Sequence, residues 1–169
     1  MARLASSDNA GWLRGTWIAA GGVLLAALVV ALVVTSLRLA NRDAAVSSRS
    51  SALAAARTYA GEVASYDYRA LAQGQDAVLR HAAPSFKQQF AARSRSLEPL
   101  VLQYHGMATA DVLQAGILQA TGARATVVLF VNQTVTSARL RQPQVNHDRM
   151  VMTLTRSGSE WLISQVSLV

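Results

Sequence analysis

The sequence predicts an α+β domain held behind a single N-terminal transmembrane helix. Three observations predict it. Trp17 to Leu37, WIAAGGVLLAALVVALVVTSL, contains no Asp, Glu, Lys, Arg or His. From Arg42 to Val101 apolar residues recur at helical steps of three and four. From Gly106 onward Val, Thr and Ile become frequent and turn residues recur at strand spacing.

The uncharged run makes a helix of about 31 Å, the thickness of a bilayer hydrocarbon core. It has no polar stripe, which a buried core helix normally carries. Trp12 and Trp17 lie at its N-terminal edge, where indole rings favour the headgroup region. The run is too long for the apolar core of a signal peptide, and Arg38 spoils the small-residue cleavage pattern behind it. The expected organisation is a tail over residues 1–16, a transmembrane helix over 17–39 and a domain over 40–169.

That domain has about 130 residues, enough for one sizeable core. The chain has no cysteine, which excludes disulfides, a thiolate nucleophile and a Cys-ligated metal. Its net charge of +7 raises the question of nucleic acid. The pattern argues against that partner. The arginines are scattered from Arg3 to Arg156 and no aromatic residues interleave with them as a stacking platform. Anionic lipid headgroups beside the span fit the charge better.

Taken in order, Arg42 to Ala64 reads as a helix, with Val46, Leu53, Ala56, Ala60 and Val63 on its apolar side. The small residues there suit close packing on a sheet. A boundary follows at Ser65–Leu71, where Asp67 is placed to cap the next helix, reaching to about His81. Pro84 suits the first position of a third helix, with Phe86, Phe90, Leu97, Leu100 and Val101 as its apolar side. Pro99 is expected to kink or divide it. Four strands are expected, at Met107–Gln119, Arg124–Ser137, Asn146–Arg156 and Glu160–Val169. The second places Val127, Leu129, Val131 and Val135 on one face. An antiparallel sheet curling around the helices is the compact solution.

No catalytic constellation stands out, and the expected site residues are none: no catalytic, cofactor or metal position. His81, His105 and His147 are isolated, and the adjacent His147 and Asp148 point to opposite faces of a strand. There is no Gly-x-Ser-x-Gly elbow and no P-loop. Trp161 reads as a core anchor.

The order of span, small-residue helix, Ser65–Leu71, Val127–Thr136, Arg149–Thr153 and Trp161–Val166 resembles the Mce-associated membrane proteins of actinobacteria. What the resemblance implies is an accessory, stabilising subunit of an Mce lipid- or sterol-import complex. Its partners would be the permease or Mce proteins, with membrane lipid beside it. It also implies the cone-shaped fold of nuclear transport factor 2 (NTF2-like), similar to the VirB8 assembly factor of type IV secretion. Two alternatives follow from such a cone, a lipid- or sterol-binding carrier and a small pocket enzyme of isomerase or dehydratase type.

For the enzyme, an Asp base and a Tyr donor would face the pocket. The candidates are Asp67, Asp76, Asp111, Tyr66, Tyr68 and Tyr104. Asp111 is the one placed by location, and an outward carboxylate opposing an arginine on the next strand is the preferred reading. The chain is expected not to be an enzyme and to need no cofactor. Arginine counts around the span, taken literally, put the domain in the cytoplasm, but long domains translocate largely regardless of charge. The resemblance implies an extracytoplasmic domain and a cytoplasmic N-terminus, and that is the expectation adopted.

Overall fold

The computed structural model describes residues 45–169 together with residues 32, 34 and 36. Those three positions are helical; the rest of the expected span and the expected tail lie outside the described residues. Among the described residues no helix is long and apolar enough to cross a membrane.

The first helix, α1, is described over residues 45–64. It buries Ser48, Ala52, Ala56, Tyr59 and Ala60. Their spacing places them on one face. The three alanines have no exposed surface, so the helix backbone lies close to its neighbours. The expected stripe is therefore rotated: Val46 is 65% exposed and Leu53 only flanks the core. Polar anchors explain the rotation. The Tyr59 hydroxyl donates to the Trp161 carbonyl at 3.0 Å, and the Trp161 indole N–H donates to Ser51 Oγ at 3.1 Å. Arg156 reaches Ser48 Oγ at 3.4 Å.

After α1 the chain forms a two-residue strand, β1 (Tyr66–Asp67), where a helix boundary was expected. Helix α2 (Leu71–Arg80) follows, and then α3 (Pro84–Gln103). Pro84 opens α3 as expected. Pro99 lies inside the helix without ending it, although it removes one backbone donor. Beyond α3 the chain turns through His105 at φ 49°, a left-handed position next to Gly106. Gly106 N–H closes back onto the Val101 carbonyl at 2.8 Å, satisfying an end-of-helix acceptor.

The remaining strands are β2 (Met107–Ala120), β3 (Arg124–Thr136), β4 (Gln144–Ser157) and β5 (Glu160–Leu168). With β1 they form one antiparallel sheet in the order β1-β2-β3-β4-β5. Gly158, at φ 60°, makes the tight turn into β5. Alternation sets the faces. Val127 opposes Met152 and Leu129 opposes Met150. These four residues, with Val131, Leu154, Trp161 and Ile163, form the centre of the core against α1.

The fold is thus α+β, but the expected cone is not formed. The sheet is open, and its edges β1 and β5 do not pair with each other. The helices turn a thin face to it: α1 presents mainly alanines with Tyr59, and the buried residue of α3 is Phe86. The long β2 is paired with β1 only at Ala108 and Met107, which leaves most of its outer edge unpaired by strand. Register shifts at Leu113 and Leu118 break that edge, which blunts its capacity to template another strand.

Candidate functional site

The titratable groups singled out by sequence are dispersed by the fold, and Asp67, His81, His105 and Tyr104 have local partners. Asp67 does not cap α2, whose N-cap is Ala70 with no side-chain bond. Its carboxylate instead accepts the Arg69 backbone N–H at 2.9 Å and the guanidinium at 2.6 and 3.0 Å. Those bonds, the side-chain ones first, hold its pKa below the usual Asp value. Asp76 is exposed on α2. His81 stacks on Tyr59 with ring centroids 4.5 Å apart, His105 packs on Tyr68 at 4.8 Å, and Arg139 sits over Tyr104 at 4.7 Å. Burial, with Glu160 and Glu62 nearby, pushes the Tyr59 hydroxyl up, so it stays a proton donor.

A prediction follows from the Asp67 geometry. Its depressed pKa means that the stability it lends is present above the ordinary Asp value of about 3.9 and is lost as pH falls through its own lower value. A carboxyl-carbon NMR titration should place its midpoint below the ordinary one, and Arg69→Gln should raise that midpoint. An unchanged midpoint in Arg69→Gln contradicts the assignment.

Asp111 lies on the face of the sheet away from α1. Its partner across the strands is Asn132, not the arginine expected, because the register of β2 and β3 sets Asn132 opposite it. Asn132 in turn opposes His147, and their side chains meet at 2.6 Å. Asp111, Asn132 and His147 therefore form a row across three strands, which sequence spacing gave no means to see. Asp111 and His147 are exposed, and no nucleophile joins them. Asp148 points the other way, opposite Val131. Among the described residues no group of three His, Asp or Glu side chains is placed to hold a metal ion.

The larger chemical features are two openings on the helical side. A cleft of about 250 Å³ lies where the end of α1 meets α2 and α3, lined by Glu62, Leu71, Val78, Phe90, Leu97 and Val101 among others. A groove of about 560 Å³ separates α3 from the sheet, between Phe86, Phe90 and Arg93 on one side and Val131, Met150 and Val166 on the other. Past these openings α3 carries exposed leucines: Leu97 is 56% exposed, Leu100 51% and Leu102 45%. Apolar surface of this kind, beside open grooves, is what partners cover. Sequence periodicity counted Leu97 and Leu100 as core; their exposure was not readable from it.

No protein-family model matches the sequence, and no curated protein matches it. Solved structures do. The domain is similar to an IcmL-like type IV secretion system protein from Legionella pneumophila, at 11% identity and TM-score 0.60, covering 72% of this chain and 91% of that one. It is similar to the periplasmic domain of DotI, at 18% identity and TM-score 0.62, covering 71% and 94%. It is similar to VirB8 of Agrobacterium tumefaciens, at 12% identity and TM-score 0.59, covering 73% and 92%. At these identities the likeness establishes the fold.

These findings overturn the Mce assignment. The solved structures that match include an IcmL-like type IV secretion system protein, DotI and VirB8, and with the assignment go lipid import and the Mce permease partners. The stretches that carried the resemblance are fold-building. Ser65 Oγ accepts the Ala110 N–H, Asp67 and Arg69 fix a turn, and Val127–Thr136 is the central strand. The histidines considered for catalysis are engaged in ring stacking and a cross-strand hydrogen bond, and Asp67 in an ion pair with Arg69. Likeness to a domain described as periplasmic is consistent with a single-pass membrane protein bearing one globular domain.

Proposed function

We propose that this chain is a membrane-tethered, non-catalytic assembly subunit of a type IV secretion-type envelope complex. Residues 17–39 cross the membrane, the N-terminus is cytoplasmic, and the domain after the span stands on the extracytoplasmic side. The observation that carries this reading is the likeness of the whole domain to secretion proteins, covering more than nine-tenths of each of the three chains named above. The exposed leucines of α3 and the two openings beside them supply surface for partners.

A secretion assay tests the role. Deleting the chain should abolish secretion. Asp111→Ala or His147→Ala should restore it fully when supplied back, because neither residue performs chemistry. Leu97→Asp with Leu100→Asp should not restore it, while leaving the fold intact, since both side chains already face solvent. A severe defect in Asp111→Ala with normal folding would sink the non-catalytic reading.

Orientation has its own test. The chain has no cysteine, so Ser157→Cys, exposed at the end of β4, is a unique chemical probe. A membrane-impermeant maleimide should label it in intact cells whose outer envelope admits the reagent. Ser6→Cys should label only after lysis. The reverse pattern would put the domain in the cytoplasm.

A further inference from the structure

We propose that the cleft between α1, α2 and α3 receives a basic side chain, an Arg or Lys flanked by apolar residues, from a partner polypeptide. This deepens the docking role and rests on it. The starting point is Glu62, in the last turn of α1. Its Oε2 atom is buried and has no hydrogen-bond partner. A buried carboxylate oxygen left without a donor is costly, and such atoms are rare in folded proteins. Glu62 lines the cleft, and a donor brought there from a partner would supply the missing bond.

The cleft around Glu62 has the chemistry of that donor. Its walls are apolar, with Val63, Leu71, Val78 and Phe90 among them, and its acidic groups are Glu62 and Glu98. Two of the chain's three glutamates are therefore here. No Arg or Lys lines the cleft, in a chain with 16 basic and 9 acidic residues. Arg69 and Arg80 line the larger opening on the other side of Glu62, but among the described residues the one ion pair within 4 Å is that of Arg69 with Asp67. Charge complementarity thus selects a cation.

Size and shape select a side chain. At about 250 Å³ the cleft falls below the range of roughly 300–1,000 Å³ typical of sites for free small molecules. An Arg or Lys has an aliphatic stem that packs on apolar walls and a charged head that pairs with a carboxylate. Arg suits it better, since its planar fork can meet a carboxylate with two parallel bonds. Leu97 and Leu100, exposed beside the cleft they help line, offer apolar contact to the residues flanking that side chain.

The test uses the full chain in nanodiscs of zwitterionic lipid and two fluorescein-labelled pentapeptides. One is Leu-Val-Arg-Leu-Val; the other carries citrulline, the neutral isostere, in place of arginine. The arginine peptide should bind at least about tenfold more tightly than the citrulline peptide. It should also shift the methyl signals of Leu71 and Val78. Glu62→Gln should remove the preference, and Asp111→Asn, on the far face of the sheet, should keep it. Equal binding of the two peptides, an arginine preference unchanged in Glu62→Gln, or methyl shifts absent from the cleft overturns the proposal. Because the peptides are defined and no secretion component is present, failure here leaves the assembly role standing, and that role fails by other measurements.

Discussion

Replacing Trp161 by alanine should destabilise the domain by about 3–5 kcal/mol, the usual cost of truncating a buried aromatic ring to a methyl group. Trp161 is 4% exposed at the start of β5, and it joins that strand to α1. Its ring packs in the same core as Ala52, Ala56, Leu154 and Ile163. Its indole N–H donates to Ser51, and the Arg156 guanidinium lies 5.6 Å from its ring centre. Truncation leaves a cavity against a helix whose buried face is mostly alanine, side chains too short to reach into it. Tyr59→Phe should cost only about 1 kcal/mol, because it removes one hydrogen bond and no packing. Leu118→Ala, at a 62% exposed site on β2, should fall within about 0.5 kcal/mol of the parent. Urea unfolding of residues 42–169, followed by circular dichroism, measures all three. That fragment should fold alone, since the buried cluster runs from Ala52 to Ile163. A loss below about 1 kcal/mol for Trp161→Ala would contradict its place as the anchor of β5.

The second large effect concerns the tether. Deleting residues 1–40 should leave the domain folded but weaken its incorporation into a membrane assembly by about 10²–10⁴-fold. A span confines the domain to a thin layer beside its partners, which replaces a bimolecular search by a local one. The deletion removes that confinement without touching the domain's surface. Secretion should fail accordingly, and grafting an unrelated single span in place of 17–39 should restore most of it. Equal secretion by the tethered and untethered forms would show that the domain's own contacts suffice.

What could be read from the sequence followed from local periodicity. The alternation of Val127, Leu129 and Val131 against Thr126, Val128 and Phe130 fixed both faces of β3. Met150, Met152 and Leu154 did the same for β4. Trp161 stood out as an anchor because a lone indole at the start of a strand needs both packing and a hydrogen-bond partner. What escaped was set by tertiary contacts. Tyr66–Asp67 is a strand only because Ala108 and Met107 lie opposite it, and two residues carry no pattern of their own. The rotation of α1 away from Val46 is set by Trp161, Arg156 and their partners, which lie more than a hundred positions later in the chain. Curvature of the sheet is not encoded in alternation at all, and the cone expected from the resemblance gave way to an open sheet. The cleft holding Glu62 and Glu98 was invisible for a related reason. Those residues sit on different helices, and only the packing of α2 between their chain segments brings both to one cavity.

The most direct measurement is purification of the tagged full chain from its native membranes in mild detergent, followed by identification and quantification of what accompanies it. Assembly in a type IV secretion-type complex predicts stoichiometric recovery of envelope components of that machinery, reduced by Leu97→Asp with Leu100→Asp and unaffected by Asp111→Ala. Recovery of the chain alone, or together with a transporter of another kind, would contradict it.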